Sequence, residues 1–167
     1  EEALRLNPGD KDVDSIENQV NILSYLCFLH VFMGNPRQAG ELASEMARLS
    51  ILVNRQSARV QAHALLGMAQ YFGGQVRQSL LTCAEVRELA ENLQVRYWLS
   101  LLDLVECMAY LHTGNLDRAW TLADQVHKRE QNYPLEKLYL QAIVLKGDIY
   151  RNIGDHRKAR EFYTEAS

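Results

Sequence analysis

The chain has 167 residues, of which 47% are hydrophobic and 23% are charged, a composition typical of folded domains rather than disordered segments. Its formal net charge of −3 gives no reason to expect nucleic acid or an acidic membrane surface as a partner. No apolar run approaches the roughly 20 residues that a membrane-spanning helix needs, so the sequence predicts no membrane segment.

The cysteines lie far apart in the sequence and form no CxxC pair: Cys27, Cys83 and Cys107. This spacing argues against a disulfide framework or a zinc site and favours a reducing, cytoplasmic location. No signal peptide is visible and the sequence does not begin with Met, which we interpret as a sign that the chain is part of a longer protein.

An internal repeat of 40 residues is the dominant feature of the sequence. Four glycines stand at this interval: Gly34, Gly74, Gly114 and Gly154. Each is followed five residues later by a small residue: Ala39, Ser79, Ala119 and Ala159. A second series of breakers or polar residues has the same interval: Asn54, Gln94 and Pro134. Two series with one period predict a tandem array of four structural units.

Each unit is predicted to contain two amphipathic helices joined by a glycine turn, in which glycine tolerates the left-handed backbone that ends a helix. In chain order the first helices are predicted at Ser15–Phe32, Gln56–Phe72, Val95–Thr113 and Leu135–Ile153. The second helices are predicted at Pro36–Leu52, Val76–Leu93, Leu116–Glu130 and from His156 onward. After three of the glycines, Asn35, Asn115 and Asp155 are predicted to cap the second helix.

The repeat boundaries define one domain over residues 1–167. Its units are 15–54, 55–94, 95–134 and 135–167. Residues 1–14, beginning Glu-Glu-Ala-Leu-Arg-Leu-Asn-Pro, are interpreted as the tail of a preceding repeat and a linker.

The individual positions resemble those of the tetratricopeptide repeat (TPR) family. The fourth unit carries the resemblance best, with Gly147, Tyr150, Gly154, Ala159, Tyr163 and Ala166. The resemblance implies an all-α fold, a right-handed superhelix of four TPR-like helix–turn–helix repeats. The units are longer than the typical 34 residues. In this they resemble the TPR regions of STAND-type signalling ATPases, including the maltose-regulon activator and the LuxR-type and cyclase-linked regulators. That resemblance implies a sensor or docking region of a larger cytoplasmic signalling or transcription-regulatory protein.

The 40-residue offset also predicts which side chains of the first helices face the inside of the superhelix. This predicted inner face is apolar in the first three units and polar in the fourth. Its candidate partner-binding residues are Phe28, Val31, Phe32, Met68, Tyr71, Phe72, Met108, Leu111, His112, Asp148, Arg151 and Asn152. An apolar concave strip with a polar rim is typical of a site for an apolar helix or an extended peptide, so we expect a protein or peptide partner.

Catalysis is not expected in this chain. Nucleotide-binding, nucleophile-elbow and zinc-binding histidine motifs are missing from the sequence, which predicts no catalytic residue, no metal and no cofactor. Cys27 and Cys107 share a repeat position with Gly67 and Gly147, so they are predicted to be buried structural thiols.

Two other functions remain open. The resemblance to the maltose-regulon activator implies a small-molecule effector site, for which Tyr71, His112, Asp148, Arg151 and Asn152 could supply the contacts. The second open function is self-association, through the inner face or through the chain ends.

Glu106 and Lys146 depart from the apolar residues, Leu26 and Leu66, that hold the same position in the first two units. Because they are 40 residues apart, they are predicted to lie on adjacent first helices and to form an ion pair with each other.

Overall fold

The computed structural model describes residues 13–52, 54–131 and 136–167. These residues form eight helices and no strand. The first helices of the four units are α1 (Val13–Phe32), α3 (Gln56–Phe72), α5 (Arg96–His112) and α7 (Glu136–Ile153). The second helices are α2 (Pro36–Leu52), α4 (Val76–Asn92), α6 (Leu116–Gln131) and α8 (His156–Glu165). The all-α architecture of four TPR-like helix–turn–helix units is confirmed, with helix ends within two residues of those expected.

The glycine series forms the turns within the units. The four glycines have φ between 76° and 89°, the left-handed conformation that side chains with a Cβ rarely adopt. The residue after each glycine donates its backbone N–H to the carbonyl oxygen five residues earlier, for example Asn35 to His30 at 2.8 Å. This bond closes the end of the first helix and reverses the chain.

The second series forms the turns between units. Asn54 and Gln94 both have a φ of 51°, so the chain is left-handed at these two positions without glycine. Pro134, the third member, lies outside the described residues. Of the predicted helix caps, the side chains of Asn115 and Asp155 accept hydrogen bonds from the backbone N–H groups of Arg118 (3.3 Å) and Lys158 (3.1 Å).

Small residues set the spacing within each unit. Cys107 is fully buried on α5, and its Sγ lies 3.2 Å from the carbonyl oxygen of Ala119 on α6. In the fourth unit the same position is Gly147, where a Cβ would lie 2.5 Å from the ring of Tyr163. The thiol and the glycine therefore allow the two helices of a unit to approach closely.

The four units are arranged as two layers of helices. Neighbouring first helices contact each other, whereas within the described residues the second helices contact only first helices. First helices that lie closer together than second helices place the first layer on the inside of a curve. The core lies between the layers, and its largest fully buried apolar side chains include Leu23, Met46, Leu65, Leu102 and Ile143.

The predicted ion pair between Glu106 and Lys146 is wrong. Both side chains are buried, and each reaches the second helix of the preceding unit. Glu106 Oε1 lies 2.8 Å from Arg87 Nη2 on α4, and Lys146 Nζ lies 2.8 Å from Asp124 Oδ1 on α6. Burial raises the pKa of Glu106, and the Arg87 guanidinium opposes that shift. This position of a first helix faces backwards along the array, so residues 40 apart point in the same direction and not at each other.

Arg87 also belongs to a network of buried charges that continues through α5 and α6 of the third unit. Asp103 on α5 is fully buried between two guanidinium groups, with Arg87 Nη1 and Arg129 Nη1 each 2.8 Å from its carboxylate oxygens. The fully buried Glu130 accepts from Ser100 Oγ at 2.7 Å and from Arg96 Nη2 at 2.8 Å. Each of these two buried carboxylates therefore has polar or positively charged partners, as a buried charge requires.

Candidate partner-binding face

The predicted inner-face residues lie on the four first helices, α1, α3, α5 and α7, which form the inner layer. In the structure they fall into an aromatic part and a polar part. Phe32 and Phe72 occupy the same position in the first two units, and their exposed fractions are 78% and 52%. Large apolar side chains with this exposure are the kind of surface that binding partners cover.

Ring contacts organise the aromatic part. Phe28 stacks on Phe32 with the ring centroids 6.5 Å apart. Tyr71 contacts Phe72 edge-on at 5.3 Å and His112 of the next unit edge-on at 6.4 Å. The second of these contacts crosses from α3 to α5, so the aromatic surface continues from one unit to the next.

Two of the twelve candidate residues are buried and offer little surface. Val31 and Met68 are only 8% and 6% exposed, so the expectation that these two candidate residues would be accessible to a partner is wrong. Met68 lies on α3, which α1 and α5 flank on both sides. Phe28, Tyr71, Met108 and Leu111 are half-buried, and His112 is exposed.

Trp98 also lines this face, although the sequence had not singled it out as a site residue. Its ring stacks on Phe28 of α1 with the centroids 6.5 Å apart, although Trp98 belongs to α5. The equivalent position on the intervening helix α3 is Ala58, and the small side chain leaves room for the indole to reach across. Trp98 and Ala58 both line a cavity of about 90 Å³ at this end of the face, together with Glu17, Val20, Asn21, Arg55, Ser57 and Gln61. The sequence offered one signal for this role of Trp98: it is a large residue at the position where the previous unit has Ala58.

The polar part lies on α7 and is built around Asp148. Its Oδ1 accepts a hydrogen bond from the Tyr163 hydroxyl at 2.8 Å and lies 3.0 Å from Arg151 Nη2. Asn152 donates to the Asp148 backbone carbonyl at 2.8 Å. The helix that carries this polar part, α7, packs against α5, and α5 carries His112, which contacts the Tyr71 ring. The polar part and the aromatic part therefore lie on neighbouring helices.

The three thiols are poorly suited to chemistry. Cys27, Cys83 and Cys107 are free and fully buried, and burial raises the pKa of each to about 12. A thiol with such a pKa is almost entirely protonated at neutral pH and is a weak nucleophile and metal ligand. The burial of Cys27 and Cys107 is as predicted from their shared repeat position.

Within 13–52, 54–131 and 136–167, no group of three or more His, Cys, Asp or Glu side chains is arranged to hold a metal ion. In the same residues no helix has both the length and the apolar character that crossing a bilayer demands. An open cavity of about 820 Å³ lies between α2 and the C-terminal half of α3, and its rim consists largely of Arg37, Glu41, Glu45, Arg48 and Gln70.

Comparison with known proteins agrees on the architecture. No family model and no curated protein sequence matches this chain. Among solved structures, it is similar to a Signal Transduction ATPase with Numerous Domains (STAND) protein with a tetratricopeptide repeat sensor from Pyrococcus horikoshii. The TM-score is 0.69 at 18% sequence identity. The fold is a TPR-like helical repeat. The match covers 95% of this chain but only 24% of the STAND protein, so the TPR-like chain corresponds to about a quarter of that molecule.

Proposed function

We propose that this TPR-like chain is a non-enzymatic interaction module whose inner face binds an apolar helix or an extended apolar segment of a protein. The single observation that carries the proposal is the exposure of Phe32 and Phe72 at the same position of two consecutive units. Exposed aromatic rings give contact area at little cost in side-chain entropy, which makes them common anchors in interfaces.

The polar part on α7 should fix the orientation in which a partner segment binds to the proposed site. Arg151 and Asn152 are exposed beside the aromatic part, and His112 is exposed between the two. A partner segment with an apolar stretch followed by a polar or acidic group would match this order, because polar groups at the rim of an apolar site fix orientation.

The biological setting proposed is the sensor or docking region of a larger signalling or regulatory protein. The similar structure is a STAND protein with a TPR sensor, and this chain corresponds to about a quarter of its length. Identity of 18% supports the fold, and the sensor role is the inference we add to it.

The proposal is tested with two variants and a matched control. Phe32→Asp and Phe72→Asp place a charge on the inner face, whereas Leu81→Asp places one on α4 at the same 52% exposure as Phe72. The probe is a synthetic library of peptides of about 18 residues, long enough for about five helical turns, selected for binding to the wild-type chain.

Selected peptides should lose binding to both inner-face variants by at least about tenfold, which is about 1.4 kcal/mol, and should bind Leu81→Asp normally. Circular dichroism should be unchanged for all three, because each site is exposed. Normal binding to Phe72→Asp and Phe32→Asp would contradict the proposal, as would a selection that enriches no peptide.

A small-molecule effector site is the second candidate, and the polar groups gathered around Asp148 on α7 favour it. Its weakness is that the Asp148 carboxylate already binds Tyr163 and Arg151. Thermal unfolding in the presence of a panel of sugars and nucleotides tests it. A ligand-dependent rise in Tm that Asp148→Asn abolishes would support this candidate over the peptide site.

A further inference from the structure

One face of α1 exposes a row of apolar side chains that the inner face does not include. Ile22, Tyr25, Leu26 and Leu29 follow at the spacing of one helical face, and Tyr25 is 77% exposed. Among the described residues α1 contacts only α2 and α3, and this row is left uncovered.

The three later units show what covers this row. At the same repeat positions α3 has Ala62, Leu65, Leu66 and Ala69, α5 has Leu102, Val105, Glu106 and Ala109, and α7 has Ala142, Leu145, Lys146 and Ile149. All twelve are buried except Leu66, which is half-buried. The row is therefore an interior surface in three units and an exterior one in the first.

On α3, α5 and α7 this row is covered by the same element, the second helix of the preceding unit. On α3 a Cβ built at Gly40 of α2 would lie 4.0 Å from Ala69 Cβ. On α5 the contact is Glu106 with Arg87 of α4, and on α7 it is Lys146 with Asp124 of α6. In all three the covering helix immediately precedes the covered one and runs antiparallel to it, as a short connection requires.

We propose that the α1 row is the docking site for a helix of the same polypeptide that precedes α1 and packs antiparallel to it, as α2 packs on α3. The occupant is an amphipathic helix with small residues on its contacting face, because Tyr25 and Leu29 are larger than the Leu65 and Ala69 that α2 covers. On α2 the residue at this contact is small, since Gly40 faces Ala69 and Leu66 of α3.

The sequence before α1 agrees with this occupant. Ala3 and Leu6 stand 40 residues before Ala43 and Met46, two fully buried residues of α2. Residues 1–12 lie outside the described part of the chain. A helix as long as the 17 residues of α2 is longer than this stretch, so the proposed occupant extends upstream of Glu1 in the natural polypeptide.

A second copy of the chain is the competing occupant, and the opposite end of the array does not favour it. Stacking one copy on another would place α8 against the α1 row. The outward positions of α8 are polar and exposed, with Arg160, Glu161 and Thr164. An apolar row gains little from such a surface, because the polar groups would lose their hydration without finding partners.

The test uses a single introduced thiol, because the three native cysteines are fully buried. Tyr25→Cys is made in the 167-residue chain and in the natural polypeptide extended upstream by one unit of about 40 residues. Leu81→Cys, on α4, is the matched control in both. The rate of maleimide labelling is measured over a range of protein concentrations, and the mass of each chain in solution by light scattering.

We expect Tyr25→Cys to label at least about tenfold more slowly in the extended chain, with Leu81→Cys unchanged and both chains monomeric. Equal rates for Tyr25→Cys in the two chains would overturn the proposal, as would an upstream sequence without a helix. Protection in the 167-residue chain that rises with concentration, together with a dimeric mass, would assign the row to a second copy instead. The residues differ from those of the inner face, so each outcome is independent of the proposed peptide site.

Discussion

The junction between α2 and α3 and the junction between α4 and α5 occupy the same place in consecutive units but have opposite chemistry. At the first, the residues are Ala47 and Leu66, both apolar and both packed against the hydrophobic core. At the second, the equivalent residues are Arg87 and Glu106, which form a buried ion pair. The four helices at these junctions nonetheless have 17 residues each, and the turns that join them have the same φ of 51° at Asn54 and Gln94. The backbone of the repeat therefore depends on its turns and small residues, while the junctions between units tolerate different side chains.

The two junctions should respond differently to mutation. An apolar junction loses stability in proportion to the volume removed. A buried ionic junction contributes little net stability while intact, yet it is costly to break, because the remaining charge is left without a partner.

The largest effect is expected for Asp103→Ala. Removing this carboxylate leaves Arg87 and Arg129 facing each other across a buried site, which should lower the free energy of unfolding by about 3–5 kcal/mol. Urea denaturation measures the change. Glu88→Ala, an exposed carboxylate on α4, is the control and should change stability by under about 0.5 kcal/mol. A similar small effect at Asp103 would mean that water enters the site.

Leu65→Ala tests the apolar junction. Leu65 is fully buried on α3, so its truncation should cost about 2–5 kcal/mol through lost burial and a residual cavity. The exposed Leu81→Ala is the comparison and should cost far less. A loss at Leu65 below about 1 kcal/mol would show that α2 closes onto α3 when the side chain is removed.

Substitutions in the turn and small-residue series should lower stability in whichever unit they lie, and the third unit offers one of each kind. Ala119→Val overpacks a fully buried contact between α5 and α6, and Gly114→Val forces a branched side chain into a φ of 77°. Each should cost about 1–3 kcal/mol, measured as a fall in Tm. An unchanged Tm for both would contradict the view that these positions specify the backbone.

The smallest effect is expected for an exposed pair. Arg37 Nε lies 3.3 Å from Glu41 Oε1, with both side chains mostly in solvent. Arg37→Ala should change the free energy of unfolding by under about 0.5 kcal/mol, and added salt should reduce even that difference. A loss comparable with that at Asp103 would remove the distinction between exposed and buried charges in this fold.

The sequence was sufficient for the helices and turns because glycine and small residues recur where the backbone needs them, as at Gly114 and Ala119. The repeat offset also placed the candidate residues on the first helices, since equivalent residues lie at equivalent places in each unit. It could not predict how deeply a side chain is covered, and Met68 is buried because α3 has neighbours on both sides. The sequence could not predict either which neighbouring helix a long side chain contacts. Trp98 was therefore missed, and the partners of Glu106 and Lys146 were assigned to the wrong helices.

Within 13–52, 54–131 and 136–167 the first helices contact each other and the second helices do not, and this pattern has a mechanical consequence. Neighbouring units are joined by contacts between first helices and by the packing of each second helix on the next first helix, so a tilt between two units moves only these junctions and no contact between second helices of the described residues. A small tilt at each of the three joints adds up along the array and changes the width of the inner face. Binding a segment that spans several units would therefore fix the curvature of the whole array, and a change of curvature is a signal that whatever is attached to either end can detect.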